Sequence, residues 1–274
     1  MTMTHANILV IGCGKMGGAL VSGWLSGGWP QERIAIVEAS AALRDAWTAK
    51  GVAAFATAAE VPTAFLPDAV LVAVKPQGLA AALPPVAARL SGLSPRPLIV
   101  TIVAGKPIAA FEAAFGSGTP VLRVMPNTPA AVGRGISGLF ANPVASPAQR
   151  ELGATLLSAV GETVWLADED QMHAVTALSG SGPAYVFHMV EAMAAAGEAL
   201  GLAPDLAMKL ARATVAGSGE LLRRSPEDAA ALRIAVTSPG GTTAAALALL
   251  MPEMPPLFIR ALAAAADRSR ELAG

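Results

Sequence analysis

A few short stretches hold most of the residues able to do chemistry. The first is Gly12-Cys13-Gly14-Lys15-Met16-Gly17, which follows the apolar run Ile8 to Ile11 and precedes a helical stretch. At this spacing Gly12 permits a tight turn, Gly14 lets the backbone approach an anion, and Gly17 lets helix and strand pack closely. A pyrophosphate would then rest on the free N–H groups at the helix start. The strand before it and the helix after it make this a dinucleotide fingerprint. A glycine turn without a ligand is the plainer alternative. Cys13, wedged between two glycines, reads as a small filler rather than a reactive thiol.

Glu38 ends the second apolar run, 21 positions beyond Gly17. An acid there can bind the ribose 2′-hydroxyl of NAD and would repel the 2′-phosphate of NADP. It can equally point into solvent, and Arg44, a turn later, can meet a phosphate, so NADPH and NADH both stay open. Val74-Lys75-Pro76-Gln77 and Val103-Ala104-Gly105 follow later apolar runs, on the edge where open α/β sheets bind ligands. Lys75 either faces the cofactor from that edge or is a surface lysine.

Two hydroxyl- and glycine-rich clusters stand out from the Ala/Leu background of the second half: Ser179-Gly180-Ser181-Gly182-Pro183-Ala184-Tyr185 and Thr237-Ser238-Pro239-Gly240-Gly241-Thr242-Thr243. Each opens a helix and offers hydroxyls and unpaired N–H groups at its positive end, which suits a carboxylate. An ordinary helix cap is the competing explanation. His5, His173 and His188 sit in no metal-ligand spacing and beside no evident nucleophile, and His188 reads as a packed residue. No HExxH, CxxC or GxSxG is present, so the expectation is no metal and a chemistry carried by the cofactor. Imine reduction suits such a site. It needs only a hydrogen-bonding group near the nitrogen and an anchor for a carboxylate.

These stretches need a frame. Ile8 to Ile11, Ile34 to Val37, Ala69 to Val74, Leu98 to Val103 and Val121 to Met125 read as strands, separated by Ala-rich helical segments such as Ala41 to Lys50 and Leu79 to Leu90. Alternation of this kind predicts an α/β domain with a mostly parallel sheet, buried on both faces. Ile136 to Phe140 and Thr163 to Trp165 read as antiparallel edge strands. Beyond about Ala167 strand signals cease, and Pro183, Pro204, Pro226 and Pro256 stand where helices would begin. Gly201 reads as a C-terminal helix cap. The expected domains are therefore an α/β domain over 1–166 and an all-helical one over 167–274. The helices from Pro183 and Ala207 are apolar on more than one face, which predicts a dimer built through the helical domain.

Composition narrows the partners. Hydrophobic residues make up 54% of the 274 and charged ones 14%, against about a quarter charged in an ordinary domain. Net charge is −1 and the longest basic cluster noted is Arg223-Arg224, which argues against nucleic acid. Two long stretches lack charged side chains, Gln171 to Val190 and Ile234 to Pro252. Gly-Pro and Pro-Gly breaks argue against membrane spans in both. A single cysteine and no signal-peptide pattern predict the cytoplasm.

The motifs together resemble pyrroline-5-carboxylate reductases over essentially the full length. The likeness rests on Gly12 to Gly17 with Met16, Val74-Lys75-Pro76, Met125-Pro126-Asn127-Thr128-Pro129-Ala130, Ser179 to Tyr185, and above all Thr237 to Thr243. It implies a Rossmann domain followed by an all-α dimerisation domain, often assembled into rings of dimers. It also implies reduction of 1-pyrroline-5-carboxylate to L-proline with NADPH or NADH, the last step of proline biosynthesis. Carried over by motif position, Thr243 is the hydrogen-bond donor or acid at the imine nitrogen, and Ser238, Gly240, Gly241 and Thr242 hold the carboxylate, with Ser179 also on the substrate side. Lys75 and Asn127 border the nicotinamide and substrate. Gly12, Cys13, Gly14, Lys15, Met16, Gly17, Glu38, Val74, Lys75, Pro76, Ala104 and Gly105 line the cofactor.

Ile234, Met251, the proline-rich Met251 to Pro256 and Glu38 depart from the pattern usual in that family. Two other readings are a reductase of another cyclic imine or a β-hydroxy acid, and a non-catalytic dinucleotide sensor. The hydroxy-acid reading wants a catalytic lysine in the helical domain, where Lys209 is alone and far in sequence from the glycine clusters. The sensor reading wants an eroded substrate signature, and Thr237 to Thr243 is intact.

Overall fold

The computed structural model describes residues 6–273, so His5 lies outside the described residues. One sheet holds β1 (Ile8–Ile11), β2 (Ile34–Val37), β3 (Ala53–Phe55), β4 (Ala69–Val72), β5 (Leu98–Thr101), β6 (Val121–Met125), β7 (Gly135–Ala141) and β8 (Gly161–Trp165). Their order is β3-β2-β1-β4-β5-β6-β7-β8. Strands β1 to β6 are mutually parallel, β7 runs antiparallel to β6, and β8 runs parallel to β7. The last two strands thus oppose the rest, as expected, but only β8 is an edge. Strand β3 was not evident beforehand.

Helices α1 (Lys15–Ser26), α2 (Ala41–Thr48), α3 (Leu79–Leu90), α4 (Ile108–Phe115) and α5 (Pro147–Ser158) connect the strands, and the short α6 (Gln171–Val175) follows β8. Successive strand side chains point to opposite faces, and here both faces are covered. Ile8 and Val10 join Leu20 and Trp24 of α1, Trp47 of α2 and Leu156 of α5. Leu9 and Ile11 join Leu79, Leu83 and Val86 of α3 and Phe111 of α4. Double coverage is why these strands are continuously apolar. Truncating one of these buried Leu or Ile residues to Ala would cost about 2–5 kcal/mol.

By packing, the chain forms two compact units, residues 6–180 with 266–273, and residues 181–265. The second holds α7 (Gly182–Ala199), α8 (Pro204–Arg224), α9 (Ala229–Ala235) and most of α10 (Thr242–Ala273). Helix α7 ends at Gly201, whose φ is +94°, in a Schellman motif: the Gly201 N–H donates to the Glu198 carbonyl and the Leu202 N–H to that of Gly197. Pro183 and Pro204 stand in the first turns of α7 and α8 as expected.

The other two prolines do not start helices. Asp228 caps α9 instead, its carboxylate accepting the Ala231 N–H at 2.7 Å, a stronger start signal than Pro226 two residues earlier. Pro256 lies inside α10 with Pro252 and Pro255. Its fixed φ already matches a helix, so each proline forfeits a backbone bond without reversing the chain.

His188 was expected to be packed. In the single chain it is exposed and bonds Glu191 at 3.0 Å, because its face of α7 is uncovered. Ala194, Ala207 and Ala211 bury themselves where α7 meets α8, while Phe187, Met189, Leu210 and Leu221 stay exposed. Among the described residues α10 alone is long and apolar enough to cross a membrane, by length and composition only. Reading charge-free stretches stops at Pro252 and so misses it. Its last turns carry Asp267, Arg268, Arg270 and Glu271 and pack with the first unit.

Candidate functional site

The order of strands reverses between β1 and β4, and ligands of doubly wound sheets bind beyond the carboxyl ends of strands at such a point. Gly12 leaves β1 with φ +82°, and a Cβ there would lie 2.9 Å from Cγ1 of Val74 beyond β4. Gly17 is required by close approach, since its Cβ would fall 2.7 Å from the Gly12 carbonyl oxygen and 3.2 Å from the Ala73 methyl. Gly14 differs. Its φ of −70° suits any residue, and a Cβ there meets nothing within 4 Å. The fold does not demand a glycine at this point, yet the space above the start of α1 is kept clear. That space, with the free first-turn N–H groups of α1 beside it, fits a dinucleotide pyrophosphate. Lys15 is exposed at the head of the helix, and Met16 packs against the core.

Glu38 does not point into solvent. Its Oε2 accepts the Cys13 N–H at 2.7 Å and its Oε1 the Ser40 N–H at 2.9 Å, tying the end of β2 to the glycine loop. Arg44 turns its Nη1 to the carbonyl oxygens of Glu38 and Ala39, both at 2.8 Å. Cys13 is buried. Burial, and secondarily the Glu38 carboxylate, push its thiol up to about 12 against a smaller opposing pull from Lys50. A thiol held neutral in this way is a filler, not a nucleophile.

Along the same edge, Lys75 is exposed and precedes Pro76, which opens a single 3-10 turn. Ala104 is exposed, while Gly105 has φ +74° and a Cβ there would lie 3.1 Å from the Leu272 carbonyl oxygen. Gly105 therefore accommodates the end of α10. Asn127 is 8% exposed, and both ends of its amide are bonded: its Nδ2 donates to the Ser179 carbonyl at 3.2 Å and its Oδ1 accepts the Ile136 N–H at 3.0 Å. Ser179 lies in a π-helical turn, Thr176–Gly180, with its hydroxyl donating back to the Val175 carbonyl at 3.0 Å. The side chains of Asn127 and Ser179 thus hold backbone in place.

A network that sequence reasoning missed lies nearby. Arg123 of β6 pairs with Glu169 at 2.7 Å, and the same carboxylate oxygen accepts the Ile108 N–H at 2.8 Å. His173 bonds Ser269 at 2.9 Å. An arginine inside an otherwise apolar strand was the available signal, since a buried charge needs an internal partner.

In the second unit, Ser238 to Gly241 form a turn with Pro239 and Gly240 at its centre. The Gly241 N–H donates to the Ser238 carbonyl at 3.0 Å and Gly240 has φ +69°, the pattern of a type II turn. Thr242 begins α10 directly after it. Thr237 spends its hydroxyl on the Arg233 carbonyl at 2.6 Å. The hydroxyls of Ser238, Thr242 and Thr243 make no hydrogen bond among the described residues. Beside the turn is a recess of about 420 Å³ lined by Arg233, Ile234, Thr237, Leu247 and Met251, in which Arg233 reaches the Met251 sulfur at 3.0 Å. Two of the departures from the family pattern, Ile234 and Met251, face this one recess.

Comparison with known proteins agrees with both halves. The profile described as pyrroline-5-carboxylate reductase dimerisation matches residues 169–272, and one described as NADP oxidoreductase coenzyme F420-dependent matches residues 7–105. A pyrroline-5-carboxylate reductase of Pseudomonas aeruginosa is 42% identical over 272 residues, covering 99% of this chain and 98% of its relative. The solved pyrroline-5-carboxylate reductase of Coxiella burnetii superposes with a TM-score of 0.91 at 34% identity, over 99% of this chain and 100% of that one. A pyrroline carboxylate reductase of Plasmodium falciparum, solved with NADP bound, gives 0.82 at 27% identity, over 99% of this chain and 100% of that one. A glycine loop at the switch point, a Ser-Pro-Gly-Gly turn heading the last helix and likeness along nearly the whole length place this chain in the pyrroline-5-carboxylate reductase family.

Proposed function

We propose that the chain reduces 1-pyrroline-5-carboxylate to L-proline as a cytoplasmic homodimer, with NADPH or NADH as reductant. The observation that carries this is the turn Ser238 to Gly241 at the head of α10, where the hydroxyls of Ser238, Thr242 and Thr243 have no hydrogen-bond partner among the described residues. A bound reduced nicotinamide supplies a hydride to the imine carbon. The protein's own work is to hold the substrate and manage the charge on nitrogen. Ser238, Thr242 and the Gly240 N–H hold the carboxylate, a good partner for a positive helix end, and Gly241 closes the turn that presents them. The Thr243 hydroxyl donates a hydrogen bond to the imine nitrogen and supports its protonation as hydride reaches the carbon, the proton that ends on the amine of proline being replaced from solvent. Lys75 borders the reacting ring from the β4 edge, and Asn127 acts through the backbone it fixes.

The exposed apolar residues of α7, α8 and α10 form the dimer surface. Steady-state oxidation of NADPH and of NADH by the purified protein with 1-pyrroline-5-carboxylate tests the activity. Turnover with at least one is expected, and none with either would reject it.

A further inference from the structure

We infer that Glu38 makes this chain select NADH over NADPH. The inference rests on the reductase reading and names the reductant of the same site. An acid at the end of the second strand meets the ribose 2′-hydroxyl in doubly wound folds, and there a 2′-phosphate would face it. Three local facts make this residue a fixed charge rather than a mobile one. Its two oxygens are each held by a backbone N–H, from Cys13 at 2.7 Å and Ser40 at 2.9 Å. One of those donors belongs to the glycine loop itself, so the carboxylate stands beside the cradle that would receive the pyrophosphate. Each oxygen keeps a lone pair, which can accept a ribose hydroxyl but can only repel a phosphate.

The neighbouring cations do not reverse this. Arg44 is drawn back onto the Glu38 and Ala39 carbonyls, where its charge steadies the end of β2. Lys50 lies over the Trp47 ring, 4.5 Å from its centre. A phosphate would have to recruit one of them away from its present partners while lying against Glu38. A ribose hydroxyl needs no such rearrangement.

The test is direct binding, without turnover. Titration calorimetry of the intact protein in phosphate-free buffer gives dissociation constants for NADH and NADPH, for the native protein and for Glu38→Ser and Glu38→Gln. The native protein is expected to bind NADH at least about tenfold more tightly, since like-charge juxtaposition is a strong device for rejecting a wrong partner. Both variants should narrow that ratio to within about threefold, chiefly by tightening NADPH, because each removes the charge. Glu38→Gln keeps the size of the side chain and one acceptor oxygen, so it isolates charge even if the serine variant folds poorly. Native protein binding NADPH as tightly as NADH would overturn the inference, as would an unchanged ratio in the glutamine variant. Either result, with turnover intact, leaves the reductase reading standing. Failure of the native protein to bind either dinucleotide would sink both.

Discussion

His173 Nδ1 lies 2.9 Å from the Ser269 hydroxyl, joining α6 to the last turns of α10 across 96 residues. Burial lowers the affinity of this imidazole for a proton, and the nearby Arg123 charge lowers it further. The folded state therefore holds His173 neutral at pH values where the unfolded chain, titrating near pH 6.5, takes up a proton.

The sign of the pH effect follows. As pH falls below about 6.5 the unfolded state binds more protons than the folded one, so stability drops until the folded imidazole also protonates. Urea denaturation between about pH 5 and 8 should show the native protein losing stability on acidification more steeply than His173→Gln. Parallel curves would mean that His173 does not supply the acid sensitivity.

Gly14 and Gly17 should separate fold from ligand. Gly17→Ala drives a methyl to 2.7 Å from the Gly12 carbonyl oxygen, so the loop must shift; a loss of roughly 1–3 kcal/mol is expected, as for other overpacked positions. Gly14→Ala meets no protein atom within 4 Å and should cost no more than about 1 kcal/mol, the price of a poorer helix cap. Its dissociation constant for the preferred dinucleotide should nevertheless rise markedly. Unchanged binding by Gly14→Ala would mean that the clear space above α1 is not where the pyrophosphate rests.

Thr243→Ala should lower kcat by more than about tenfold, because a group acting at the imine nitrogen is worth most in the transition state. Thr243→Ser, which keeps the hydroxyl, should recover most of the rate. If the alanine variant retains near-native kcat, or if serine fails to rescue it, the hydroxyl has another role.

Much of the frame was legible because physics repeats itself locally. Runs rich in Ile, Val and Leu mark β1, β2, β4, β5 and β6, and the Gly12 to Gly17 spacing marks the edge where they matter. Strand β3 escaped because Ala53-Ala54-Phe55 is a short edge strand of mostly small, partly exposed residues. Pro256 misled because a proline's φ suits a helix interior as well as a helix start. The candidate site was legible only in its residue types. Nothing local in the chain says that Glu38 is held by Cys13, that Asn127 is consumed by Ser179 and Ile136, or that Arg123 finds Glu169 46 residues away. Each of those depends on segments that meet only after folding.

The contact of Gly105 with Leu272, and of His173 with Ser269, sets the timetable by which the molecule can be built. A ribosome that has delivered the eight strands has not yet delivered the residues that finish that body. Residues 266–273 arrive only after the whole of 181–265 has been translated. Domains ordinarily fold as units during synthesis, but the contacts that Leu272 and Ser269 make with the nucleotide-binding half can form only once the other half has been made.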